Sequence, residues 1–280
     1  MRKNTFFFLF VALLAAAQEP EKNEADIILD ELFAVDSLDI MHFVDEIKKQ
    51  DYLYASFMYN DKTLFSGRDF GVEQYSFFPS ISYIDANNFF FNISSGYFSG
   101  VSPNWDFVRF SAGYSNYVDK KKSFLATGIY SYSSFTQDVA DLNNHRLTAS
   151  ISYRKKWFRN SLTAGYLFGG RSSIFVSNNT YVSVDLLESK SLDISIQPRL
   201  GLFWGAQAIT ELVNSKLFKL VDKDRFQMLN TELSIPLELD FRSWDIEIEY
   251  TFSIPNALPG EEGLENNGFV SVSIGYLLGL

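Results

Sequence analysis

Seven carboxylates in the C-terminal third occupy the polar positions of alternating segments: Asp193; Glu232, Glu238 and Asp240; Asp245, Glu247 and Glu249. Every second residue of an extended strand points to the same side, about 7 Å along the chain from the next. That spacing sets Glu247 beside Glu249 on one face. Paired carboxylates can exchange protons with a substrate. A row of them can equally form a wall of fixed charge that selects ions. Arg109, Arg146 and Arg199 fall on the polar face of their own segments and supply counter-charge. A second centre is His145, close to Asp138, Asp141, Asn143 and Asn144. A histidine beside acids is raw material for a hydrolase with a serine nucleophile, yet no spacing marks the serine. The run Gly67-Arg68-Asp69-Phe70-Gly71 lacks the lysine and the strand–loop–helix setting of a phosphate loop, and reads as a turn.

The chemistry left out is as informative. There is no cysteine and only two histidines. Disulfides, thiolate sites and cysteine nucleophiles are excluded, and a histidine metal centre has too few ligands. No metal or organic cofactor is implied. The net charge of −10 is a poor match for nucleic acid, which wants a basic surface.

The elements that carry these residues are strands. From residue 51 onward apolar and polar residues alternate in segments of about 9 to 15. In 244–254, Trp244, Ile246, Ile248, Tyr250, Phe252 and Ile254 oppose Asp245, Glu247, Glu249, Thr251 and Ser253. In 269–280, Val270, Val272, Ile274, Tyr276 and Leu278 oppose Ser271, Ser273, Gly275 and Gly279. We expect about twelve strands, at 52–60, 73–84, 88–98, 105–117, 123–135, 145–153, 157–168, 173–186, 191–204, 227–241, 244–254 and 269–280. Pro198 and Pro236 each remove a ladder donor, so a bulge or kink is expected at both.

Alternation does not say which face is inside, and a soluble β-sandwich alternates too. Three observations favour lipid outside. Aromatic residues make up 17% of the chain, and their rings often fall near strand ends, as girdle residues would. The opposite face of the earlier strands is small and uncharged: Ser80 and Ser82, Ser111, Gly113 and Ser115, Thr148, Ser150 and Ser152. The third is the N-terminus. Arg2 and Lys3 precede an apolar run from Thr5 to Ala17 that ends in Ala15, Ala16 and Ala17, the three-part pattern of a secretory signal peptide cleaved after Ala17. That run is too short to span a bilayer as a helix.

The expected architecture is all-β: a transmembrane antiparallel up-and-down β-barrel over 51–280, preceded by a signal peptide (1–17) and a short, acidic, partly helical segment (18–50) that is periplasmic or plugs the lumen. The connections at 85–87, 118–122, 154–156, 187–190 and 242–243 are short, and those at 61–72, 136–144, 205–226 and 255–268 are long. Short turns belong on the periplasmic side and long loops outside.

The cleavage site Ala15–Ala17 and the alternating C-terminal strand Phe269–Leu280 resemble those of bacterial outer-membrane β-barrels. The terminal Leu280 departs from the aromatic residue with which such barrels usually end. The texture of Gly67–Gly71, Pro79 and Tyr166-Leu167-Phe168-Gly169-Gly170 is similar to uncharacterised Bacteroidota-type barrels. The resemblance implies residence in the cell outer membrane, contact with its lipid and with the barrel-assembly machinery, and no known substrate. Three roles stay open. One is a narrow passive channel or small-solute transporter with the ten charged residues above as its selectivity wall. Another is a sealed barrel that displays loops or docks a periplasmic partner through 18–50. The last is a rim hydrolase built on His145. The first is preferred, and no enzyme is expected.

Overall fold

The computed structural model describes residues 50–64, 67–68, 74–100, 104–136, 143–155, 157–170, 172–189, 191–205, 226–257 and 264–280. The expected signal peptide, residues 18–49, Asp138 and Asp141 lie outside the described residues.

Fourteen strands follow one another: β1 Tyr52–Asn60, β2 Ser76–Ile84, β3 Phe89–Phe98, β4 Trp105–Tyr117, β5 Phe124–Phe135, β6 His145–Lys155, β7 Phe158–Phe168, β8 Ser173–Val182, β9 Val184–Glu188, β10 Asp193–Ile196, β11 Arg199–Gly205, β12 Gln227–Phe241, β13 Trp244–Pro255 and β14 Asn267–Gly279. Each barrel strand pairs antiparallel with its sequence neighbours. β1 closes on β14, and β11 bridges β8 to β12. β8 and β9 form one stave, interrupted at Ser183, and β10 and β11 form another, interrupted at Gln197 and Pro198. Fourteen segments thus make a closed barrel of twelve staves, as expected.

The two prolines behave differently. Pro198 splits its stave, as its missing donor predicts. Pro236 does not: the register of β12 against β13 runs unbroken through Pro236↔Glu249. The Gln197 N–H donates to the Pro236 carbonyl at 3.3 Å. The expected kink at Pro236 is therefore absent, because its imide nitrogen lies beside the gap that Pro198 already opens.

Alternation sends the apolar residues out. Phe91, Ile93, Ile81 and Ile235 are each more than half exposed, whereas Ser82 and Ser253 are 0% exposed. That inversion separates a lipid-facing barrel from a sandwich. The outward rings gather at the two rims. On the long-loop rim Tyr59, Tyr75, Phe77, Tyr97 and Trp105 form a chain of ring contacts. On the short-turn rim lie Phe89 with Tyr114, Phe124 with Tyr153, and Trp244 with Tyr276. Phe89 and Tyr97 share β3, as Phe124 and Tyr132 share β5. Eight residues of strand span roughly 26 Å, and tilt brings that near the ~25 Å apolar band of membrane barrels.

Several inward glycines sit under inward rings. A side chain on Gly113 would strike the Phe90 ring, one on Gly165 the Phe175 ring, and one on Gly275 the Tyr54 ring. Glycine lets a large inward ring lie across the neighbouring strand.

Candidate functional site: the lumen wall

The ten charged residues expected to line the lumen all point inward. The carboxylates come from β10, β12 and β13, on one arc of the ring. There Asp193 is directly opposite Asp240, Asp240 opposite Asp245, and Glu238 opposite Glu247. Residues opposed in this way have Cβ atoms about 5 Å apart. Acidic side chains therefore stand shoulder to shoulder on two successive rungs.

Each rung is held differently. At the top, Asn230 Nδ2 donates to Glu232 Oε1 at 2.9 Å, and Asn230 accepts from Ser253 Oγ at 3.0 Å. In the middle, Arg199 Nη2 donates to both oxygens of Glu249 at 2.9 and 3.0 Å, and to Ser234 Oγ at 3.1 Å. Thr251 Oγ1 adds a bond to Glu249 Oε1 at 2.7 Å. Lower, Glu238 Oε2 accepts from Ser195 Oγ at 2.8 Å and Gln197 Nε2 at 2.6 Å. At the bottom, Asp245 is 1% exposed. Its Oδ2 accepts from the Tyr54 hydroxyl at 3.5 Å, and its Oδ1 has no hydrogen-bond partner.

The arginines on the other arc are bedded against rings. Arg109 Nε donates to Ser133 Oγ at 3.0 Å, and its guanidinium lies 4.8 Å from the centre of Phe107. Arg146 lies 5.4 Å from the centre of Phe175. Two further inward arginines were not anticipated. Arg159, nearly buried, stacks 4.2 Å over Tyr181, and Arg154 is its cross-strand neighbour. Arg154 was assigned to a turn, but β6 runs on to Lys155. Arg159 shares the polar alternation of Ser161 and Thr163, a signal present in the sequence but not used. Arg199 of β11 forms a direct ion pair with Glu249 of β13, across the intervening β12 and within the acidic arc.

Hydroxyls complete the wall. Ser111 pairs with Ser131 at 2.8 Å and Ser115 with Thr127 at 2.6 Å. Ser82, Ser115, Ser161, Thr251 and Ser253 are each 2% exposed or less. The interior is polar but tightly lined.

Near the long-loop mouth the first loop turns inward. Arg68 Nη2 donates to the Asn256 carbonyl at 2.7 Å and Nη1 to the Leu229 carbonyl at 3.3 Å. Gly67, at φ +79°, rests against Asn230 and Ser253, where a Cβ has no room. The sequence showed only a turn here.

His145 stands elsewhere. Its ring faces outward in the rim girdle, 5.0 Å from the centre of Phe168 and 5.2 Å from that of Tyr132. Its Nδ1 lies 2.7 Å from the Tyr130 hydroxyl. Among the described residues no three histidines or carboxylates are grouped so as to hold a metal.

No family model matches the chain, and no curated protein matches it. Solved structures do. LpxR from Salmonella typhimurium aligns with a TM-score of 0.50 and 8% identity, over 80% of this chain and 99% of that one. The KdgM porin aligns at 0.48 and 12%, over 81% and 98%. An outer-membrane channel from Pseudomonas putida F1 aligns at 0.48 and 9%, over 83% and 97%. At these identities the likeness is one of fold.

Proposed function

We propose that this chain is a narrow passive channel for small solutes in the bacterial outer membrane, selective through the charges of its lumen. The short-turn rim faces the periplasm, and the long loops face outward. One observation carries the reading. The inner face is polar along its length, with carboxylates on β10, β12 and β13 and arginines on β4, β6, β7 and β11, an arrangement that sorts ions. Outer-membrane lipid surrounds the apolar band, and the barrel-assembly machinery inserts it. Residues 18–50 would serve as a plug of the lumen or as the contact for a periplasmic partner. The Gly67–Gly71 and Tyr166–Gly170 runs keep Bacteroidota-type barrels as the source class.

A sealed structural barrel is the second reading, favoured by the low exposure of the lumen hydroxyls. Single-channel recording in planar bilayers separates the two. Stable steps with a cation preference, reduced in Glu247→Gln, are expected of the channel. A protein that is folded and inserted yet passes no current overturns it.

A further inference from the structure

The short-turn rim carries its charge unevenly. Lys120, Lys121 and Lys122 follow one another in the turn between β4 and β5, and all three are exposed. Lys155, the last residue of β6, is exposed at the next turn along the rim, because β4, β5, β6 and β7 pair in that order. Asp119 is the one carboxylate among the described residues of these two turns, and N–H groups of its own turn occupy both its oxygens. Lys120, Lys121 and Lys155 form no ion pair among the described residues. Arg154 and Arg159 continue the same sign inward, at the lower end of the lumen. The acids of the rim lie on other sectors: Asp51 and Asp85 near β1 and β2, Asp185 and Glu188 on β9. Arg242 stands apart from the basic sector, between β12 and β13.

We propose that the acidic segment 18–49 docks on this basic sector, across the β4–β5 and β6–β7 turns. The proposal rests on the reading of the short-turn rim as periplasmic, and it needs no conduction. Charge complementarity is its first support. The segment holds ten carboxylates against three lysines, a net −7, and two of those lysines, Lys48 and Lys49, adjoin the barrel. The point of entry is the second. Leu280 donates its N–H to the Asp51 carbonyl at 2.9 Å, and Asp51 Oδ1 accepts from the Ala86 N–H at 3.0 Å. The chain therefore joins the barrel on the same rim, beside the β2–β3 turn, and the β4–β5 turn is the next one along it. From β1 to β7 is six strand spacings, roughly 29 Å. A segment of 32 residues spans about 48 Å even when wholly helical. Exposed ion pairs are weak one at a time, but a tether of this length holds the segment at an effective concentration on the order of millimolar. Phospholipid headgroups would meet the rim on all sides, whereas cations gathered in one sector suit one tethered occupant.

Distances between spin labels test this, and the absence of cysteine makes introduced pairs clean. Ser37→Cys with Ser123→Cys joins the segment to the β4–β5 turn, and Ser37→Cys with Ser191→Cys joins it to the β9–β10 turn. Double electron–electron resonance on the full mature chain, refolded in nonionic detergent at low salt, is expected to give a narrow distribution for the first pair and a longer mean distance for the second. At 1 M salt, where screening acts within about 3 Å, the narrow distribution is expected to be lost. Lys120→Glu, Lys121→Glu and Lys155→Glu together should abolish it in a barrel shown by circular dichroism to be folded. Adding Glu24→Lys, Asp30→Lys and Glu31→Lys to that variant should restore it. A broad distribution in the parent at low salt overturns the docking, and so does a narrow one that survives the three rim reversals. A distribution that is narrow in phosphatidylcholine nanodiscs but broad in phosphatidylglycerol assigns the basic sector to lipid headgroups and overturns the docking as well. Conductance is read on the rim-reversed variant, where a docked segment cannot block the lumen. No current there overturns the channel reading and leaves the docking standing.

Discussion

Arg199 contributes through one nitrogen shared between the two oxygens of Glu249 and the Ser234 hydroxyl. Glu249 is almost fully buried, so deleting its partner leaves a charge without compensation. Breaking such a pair costs roughly 3–5 kcal/mol. Arg199→Ala is therefore expected to lower the urea midpoint of the refolded barrel by a matching amount. Arg199→Lys keeps the charge and a nitrogen donor, and should lose less. An Arg199→Ala barrel as stable as its parent would show that water replaces the guanidinium. Gly113 makes the opposite kind of prediction. Gly113→Val thrusts methyl groups at the buried Phe90 ring, and overpacking of this sort costs about 1–3 kcal/mol, read as the same midpoint shift. At this scale the sequence told sides, not partners. Alternation put Arg199 and Glu249 on one face, but their contact spans fifty residues of chain, and nothing local announces it. Arg68 was legible only as part of a turn, because its carbonyl acceptors belong to strands that arrive near the end of the chain.

The short-turn connections are built to hold register, and the one between β4 and β5 shows how. Asp119 Oδ1 accepts the N–H groups of Phe124 and Ser123, both at 2.8 Å, and Oδ2 that of Lys121 at 3.2 Å, while Lys122 takes φ +55°. The Phe124 N–H, with the others behind it, holds the Asp119 carboxyl below its usual range. Because the folded value lies below the unfolded one of about 3.9, the stabilisation is present above that pH. It fades as pH falls through the lower, folded value. Asp119→Asn should thus be less stable than the parent at neutral pH, with the difference shrinking as the pH falls below the ordinary carboxylate range. A difference that grows on acidification would contradict this sign. The β9–β10 hairpin gives a second element-level expectation. β9 pairs with β10 on one edge alone among the described residues, and Leu186 and Leu187 are exposed. Amides of Val184–Glu188 should exchange with deuterium faster than those of Phe158–Phe168, which are paired on both edges. These elements were mostly readable, because turn lengths and period-two runs are local. Pro236 was not. Whether a missing donor breaks a strand depends on the neighbour, and Pro198 on the adjacent stave already interrupts the ladder.

At the scale of the whole molecule, closure and inversion matter together. A twelve-stave ring without an open edge leaves every stave flanked, and the outward apolar face then demands lipid. The sequence carried this well, since a signal-like N-terminus, a heavy aromatic load and small polar inner faces all argued for the same inversion. It could not say how full the bore is. Bore width depends on where Phe90, Phe175 and Tyr54 lie, and they lie across glycines on neighbouring strands. The four tryptophans make the inversion measurable. Trp105 and Trp204 sit at the long-loop ends of β4 and β11, Trp244 opens β13 at the short-turn rim, and Trp157 lies in the turn before β7. Trp105, Trp157 and Trp244 are about half exposed. Aromatic rings at headgroup level should meet lipid near the surface and not at the bilayer centre. In vesicles of brominated phospholipid, intrinsic fluorescence should be quenched more by bromine high on the acyl chain than by bromine near its end. Trp244→Phe and Trp105→Phe should each remove part of that shallow quenching while leaving the depth preference of the remainder intact. Stronger quenching from the deep position would put the girdles in the wrong place. No quenching from either position would mean that the apolar face never met lipid, and the barrel would need another partner to cover it.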